Sequence, residues 1–222
     1  MNVLFISLAG IRSVEEKGIY TDLLREIIKN DNDVYIISPA ERRTGLPTEI
    51  IKTENNKRAH ILSVRTGNIQ KASYIEKGIS QIFLEGQLTQ AIKKYFSNVK
   101  FDLVLYATPP VTLIKPIKYI KKRDKATTYL MLKDIFPQNA VDIGIMNTGG
   151  LKGILYKHFR KKEKKLYKIS DRIGCMSQAN VNYIIERNPE VNPEVVEICP
   201  NSIEVIDKCV DKGTRVFIRN KY

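Results

Sequence analysis

Tryptophan is absent from this 222-residue chain, histidine occurs twice and cysteine three times. His60 and His158 have no Cys, Asp or Glu at ligand spacing, so no metal site is expected. Cys175, Cys199 and Cys209 lack the C-x-x-C spacing of a zinc or redox pair and read as structural free thiols. No window holds the ~18 consecutive apolar residues of a spanning helix. The opening MNVLFISLAG has no basic n-region, so it reads as a first core strand rather than a leader, and a cytoplasmic location is expected. No G-x-G-x-x-G follows that strand and no G-x-S-x-G occurs anywhere, which argues against a plain NAD enzyme and a serine hydrolase; no cofactor is expected.

Acidic residues are also scarce. Lys and Arg number 37 against 24 Asp and Glu, a net charge of +13, which points to an anionic partner. Without tryptophan, a helix-turn-helix, an RNA-binding or a zinc-finger pattern, nucleic acid is not the expected one. The remaining composition, 43% hydrophobic and 27% charged, is that of an ordinary globular chain of one large or two small domains.

Apolar runs alternate with helical periods. Strands are expected at Asn2–Leu8, Asp33–Ser38, His60–Val64, Phe101–Tyr106, Thr127–Leu132, Arg172–Met176 and Val195–Cys199. Between them lie helices at Gly18–Lys29, Gly78–Phe96, a stretch ending near Arg123, Leu151–Ile169 and Gln178–Arg187. The Gly78–Phe96 helix is expected to bury Ile82, Phe83, Leu88, Ile92, Tyr95 and Phe96. This order predicts an α/β domain, a Rossmann-like parallel sheet with helices on both faces, and places ligands at the carboxyl ends of its strands. Pro39–Asn56 has no clear period and reads as a long loop. The domain is expected to span residues 1–200, with 201–222 as a linker ending in a modest amphipathic helix at Asp211–Tyr222.

Three features carry chemistry, each with a plainer reading. Gly18 opens the first helix, where amide groups can hold a phosphate; it can equally be a simple helix start. Lys133 and Asp134 follow the Thr127–Leu132 strand, where an acid beside a base can bind hydroxyls and anions; Asp134 can instead cap the next helix before Pro137. Lys157–Lys168 carries seven Lys or Arg and one Glu, and Lys115–Lys125 carries six and one Asp. With Leu151, Ile154, Leu155, Phe159, Leu166 and Ile169 between its charges, the first tract suits an anionic lipid surface; a solvated face is the alternative.

Read in order, Glu16-Lys17-Gly18-Ile19-Tyr20, Leu132-Lys133-Asp134-Ile135-Phe136-Pro137-Gln138 with Ala140-Val141-Asp142-Ile143-Gly144, Ser170-Asp171-Arg172-Ile173 through Ser177, and Cys199-Pro200-Asn201-Ser202-Ile203 resemble landmarks of one family. The chain is similar to the N-terminal domain of family 4 glycosyltransferases of the GT-B fold, nearest the fucosaminyltransferase type of bacterial capsule and O-antigen synthesis. Two departures stand out: the family's glycine pair is a single Gly18, and its "PNG" is Pro200-Asn201-Ser202.

The resemblance implies a retaining, metal-independent transferase whose N-terminal half takes a polyprenyl-diphosphate-linked acceptor at the inner membrane face. The nucleotide-sugar donor would bind a C-terminal domain that this chain lacks, so the chain alone is expected to be inactive. It implies Asp134 as a catalytic or sugar-orienting carboxylate and Gly18, Lys133 and Asn201 as substrate contacts. Lys157, Arg160, Lys161, Lys162, Lys164 and Lys165 would face the bilayer. A non-catalytic acceptor-binding subunit that anchors a separate catalytic partner at the membrane is the alternative.

Overall fold

A computed structural model describes residues 1–53, 56–70, 72–205 and 212–221; for Tyr74, Ile75, Leu151, Lys152, Lys212, Thr214 and Arg215 it describes the backbone only. Cys209 and the stripe position of Leu151's side chain therefore lie outside the described residues, as do parts of the expected linker. Eight strands form one sheet in the order β3-β4-β2-β1-β5-β6-β7-β8. They are β1 (Asn2–Ile6), β2 (Asp33–Glu41), β3 (Glu49–Ile51), β4 (Ala59–Thr66), β5 (Leu103–Thr108), β6 (Thr127–Leu132), β7 (Arg172–Cys175) and β8 (Val196–Ile198). All neighbours run parallel except β3, which pairs antiparallel with β4 through Ile50↔Leu62.

Strand alternation divides the core into two layers. Leu4, Ile6, Leu62, Val104, Tyr106 and Leu130 point to one face, and Val3, Phe5, Ile36, Ile61, Leu105 and Met131 to the other. On the first face pack α2 (Tyr74–Tyr95), α3 (Ile114–Asp124), α5 (Gly150–Ile169) and α6 (Gln178–Arg187), which contribute Leu88, Ile117, Leu166 and Ile184. On the second lies α1 (Ile19–Lys29), with Leu24 and Ile28 buried beneath the loop residues Ile11 and Val14. Two more helices are the short α4 (Gln138–Asp142) and α7 (Lys212–Lys221), the latter with Val216, Phe217 and Ile218 exposed.

Three sequence expectations need correction. The 39–56 stretch is not all loop: β2 runs on to Glu41, a 3-10 turn covers Arg42–Thr44, and β3 closes the sheet edge. A three-residue edge strand is too short to show a period. On α2, Ile82 and Phe83 are 75% and 62% exposed, and the buried line is Leu84, Leu88, Ala91 and Ile92. Several apolar faces competed on that helix, and docking against β4 and α3 selected one. On α5, Ile154 and Leu155 are likewise exposed, while Leu166 and Ile169 are buried.

Candidate functional site

Every parallel strand delivers its carboxyl end to one edge of the sheet, and there the chain turns polar. Lys133 and Asp134 follow β6. Pro137 takes the N-cap position of α4 with no side-chain cap bond, so Asp134 does not cap that helix. Its carboxylate is exposed, with no hydrogen bond or ion pair among the described residues. Beside it, Lys133 is half-buried, and burial holds its ammonium below the usual lysine range, partly offset by the nearby Cys199 thiol. A charge so poorly hydrated gains most from an arriving anion. Lys133, Asp134, Gln138, Asn139, Asn180 and Tyr183 line a depression of about 410 Å³, and behind it the Asn139 Oδ1 is buried with no partner among the described residues.

Gly18 begins α1 on extended backbone, a conformation any residue adopts. What limits the position is space, because a Cβ would lie 3.3 Å from the Thr21 hydroxyl. The Gly18 amide donates to Asp22 Oδ1 at 3.2 Å, so in this state it serves a carboxylate of its own helix. Asp22 Oδ2 in turn accepts the Glu204 amide at 2.9 Å, and Arg25 Nη2 reaches both Asp22 Oδ1 (2.6 Å) and Glu204 (3.1 Å). These amides and Arg25 hold the Asp22 carboxyl below its ordinary range. The segment containing Asn201 is thereby tied to the start of α1, and Asn201 itself is exposed.

Sequence reasoning gave no role to Tyr20. It packs on Phe5 with ring centroids 5.2 Å apart, and its phenol is pushed up first by burial and then by the Asp134 carboxylate. An acid with no partner and a phenol within its field thus share one edge. The signal was Tyr20's place two residues after Gly18, in a stretch valued only for its glycine.

The same edge holds a second cavity of about 200 Å³ past β1, β2 and β4, lined by Arg12, Ser38, Glu41, Arg43, Thr66 and Gln70 among others. Glu41 organises it: Oε1 accepts the Ile69 and Gln70 amides at 3.0 and 2.6 Å, and Oε2 accepts Arg43 Nε at 2.6 Å. Burial alone would raise this carboxyl, but those donors hold it low. Arg12 is exposed with no partner among the described residues.

The basic tract on α5 is not uniform. Arg160 pairs with the buried Glu163 and donates to Asn188 Oδ1 at 2.6 Å, fastening α5 to the end of α6. Lys162 meets Glu85 at 3.5 Å and Lys164 meets Glu190 at 3.0 Å. Lys157, Lys161 and Lys165, one helical turn apart, are exposed and have no partner among the described residues. The helix lies near the depression: Phe159 packs on Phe136 at 5.0 Å and Tyr156 donates to Gln138 Oε1 at 3.2 Å.

Sequence comparison matches neither a family model nor a curated protein. Comparison of structures finds sucrose-phosphate synthase of Thermosynechococcus elongatus at TM-score 0.60 and 9% identity, over 90% of this chain and 47% of that one. UGT89C1 of Arabidopsis thaliana, solved with UDP-L-rhamnose, matches at TM-score 0.53 and 11% identity over 95% and 54%. The trehalose 6-phosphate synthase of Burkholderia multivorans matches at TM-score 0.52 and 11% identity over 91% and 48%. The chain thus has the fold of one Rossmann-like half of a GT-B glycosyltransferase and spans about half the length of these neighbours.

Proposed function

We propose that this chain is the acceptor-binding half of a retaining glycosyltransferase that moves a sugar from a nucleotide-sugar donor to a polyprenyl-diphosphate-linked acceptor in capsule or O-antigen synthesis. What carries the reading is the unpartnered Asp134 beside the under-hydrated Lys133, at the carboxyl edge of a fold shared with one half of glycosyltransferases. In such sheets the carboxyl edge is where ligands lie. Asp134 orients the reacting acceptor hydroxyl or takes its proton. Lys133 offers its charge to a diphosphate and so stabilises negative charge as the nucleotide departs. Asn201 contacts substrate from the segment that Glu204 ties to the start of α1. For Gly18 to give its amide to a phosphate, Asp22 must first release it, which makes that contact conditional on substrate.

A second domain supplies the donor contacts, and the chain alone does not turn over. Lys157, Lys161 and Lys165 face anionic lipid at the inner membrane face, worth about 1 kcal/mol each; Arg160, Lys162 and Lys164 are neutralised by Glu163, Glu85 and Glu190 and add little. Charge reversal of Lys161 and Lys165 should therefore abolish sedimentation with anionic liposomes.

The reading is tested by transfer from a panel of nucleotide sugars to a lipid-linked acceptor, using the chain alone and together with a donor-binding partner domain. Transfer only in combination supports it. Acceptor binding without transfer in either case favours the anchoring subunit, and neither binding nor transfer overturns it.

A further inference from the structure

A groove of about 710 Å³ lies outside the depression and the cavity, between the end of β4 and the first turns of α2, lined in part by Arg42, Arg65, Thr66, Ile79, Phe83 and Gln87. Three independent observations meet there. Arg42 and Arg65 have no carboxylate partner among the described residues; the groove's own Glu76 is held by Asn68 Nδ2 at 2.6 Å instead. Ile79, Ile82 and Phe83 are 52%, 75% and 62% exposed on adjacent positions of α2. The Thr66 hydroxyl and the Gln87 amide oxygen are buried with no hydrogen-bond partner, and Thr66 is 2% exposed.

Each feature alone is ordinary; together they describe a ligand. Unpaired guanidinium groups suit phosphate, which they bind with paired donors. Exposed Ile and Phe side by side suit a hydrocarbon chain. Buried polar atoms without partners suit the hydroxyls of a sugar ring, since leaving them unmade costs free energy. A flat bilayer would use the apolar and cationic groups but not the sunken Thr66 and Gln87.

We infer that this groove binds the isoprenoid-phosphate end of the acceptor lipid, with phosphate on Arg42 and Arg65, the chain along Ile79 and Phe83, and the first sugar over Thr66 and Gln87. Thr66 also lines the cavity at Arg12 and Arg43, so the sugar leads from the groove toward the centre of the edge. The inference rests on the acceptor-binding reading above, and it separates the lipid site on α2 from the bilayer contact on α5.

The probe is farnesyl diphosphate, titrated into the full chain by calorimetry, with inorganic diphosphate and phosphatidylglycerol vesicles as comparisons. Binding should exceed that of inorganic diphosphate and should weaken about tenfold or more in both Arg65→Ala and Phe83→Ser. Both side chains are exposed, and unchanged melting temperatures confirm folding. The double charge reversal Lys161→Glu and Lys165→Glu should leave it unchanged. Equal affinity for inorganic diphosphate, indifference to Phe83→Ser, or binding to vesicles alone overturns the groove. Because no donor is present, absence of transfer in the combined enzyme with groove binding intact would remove the transferase reading alone.

Discussion

The two edges of this one sheet are built to opposite ends. At the amino edge the carboxylates are used up by the fold. Asp102 accepts the Asn2 amide at 2.7 Å; Asp124 accepts the Phe101 amide at 3.0 Å and two nitrogens of Arg123; Asp171 accepts the Thr128 amide and hydroxyl at 2.9 Å and Lys121 at 2.7 Å. At the carboxyl edge several polar groups are left open, although Glu41 and Asp22 there are held by arginines and backbone amides. Asp134 and Arg12 have no hydrogen bond or ion pair, and buried oxygens of Thr66, Thr108, Thr112 and Asn139 have no partner among the described residues. A buried polar atom left unpaired is a standing cost, which a native protein carries where a ligand or water will complete it. One edge stabilises the fold and the other is held ready for chemistry.

The largest effect expected from breaking this contrast falls on transfer and not on stability. Replacing Asp134 by Ala in the combined enzyme should lower the transfer rate about 10²–10⁴-fold. The same change should shift the unfolding free energy of the chain by less than about 0.5 kcal/mol, as for other exposed sites without partners. Steady-state rates and a urea melt read both numbers; a large loss of stability with transfer intact would reverse the assignment of the two edges.

At the opposite edge the expectation is mirrored. Asp124→Ala strands the buried Phe101 amide and removes both bonds to Arg123, and should cost about 2–3 kcal/mol in the same melt. Asp171→Ala should cost less, because Asp171 and Lys121 are 43% and 35% exposed and water screens the pair. A reversed order would mean that burial does not set the strength of these clamps.

The amino edge was poorly legible in the sequence, and at the carboxyl edge Lys133-Asp134 drew attention while Tyr20, Glu41 and Arg12 did not. Thr127–Leu132 and Gln178–Arg187 stand where the sequence places them, and Lys133-Asp134 stands out because it follows the apolar run Leu130–Leu132. The division of α5 into paired and unpaired cations was illegible. Arg160 finds Asn188, and Lys162 finds Glu85, only through the packing of α5 against α6 and α2, across separations a sequence period does not encode. Ile82 and Phe83 misled for a related reason: an amphipathic pattern identifies a helix, while the neighbours decide which apolar residues are covered. Tyr20 escaped because its relation to Asp134 joins the first helix to the sixth strand.

The smallest effect is the pH dependence that separates the edges. Burial alone would raise the Asp124 carboxyl, but the Arg123 hydrogen bonds, the Phe101 amide and the Arg123 charge outweigh it and hold the group below its ordinary value. Asp171 is held low in the same way by Lys121 and Thr128. A carboxyl depressed in the folded state gives stability that is present above its unfolded pKa, near 3.9, and is lost as pH falls toward the folded value. Glu163 runs in the opposite sense. Burial keeps its carboxyl above the usual range despite Tyr167 and Arg160, so its contribution is full in acid and fades as pH rises through the folded value. Unfolding free energy should therefore fall between about pH 4 and pH 2, and the slope should be shallower in Asp124→Asn. Urea melts at half-unit pH steps decide it: equal slopes in the unaltered chain and Asp124→Asn would show that the amino-edge carboxylates do not couple protonation to folding.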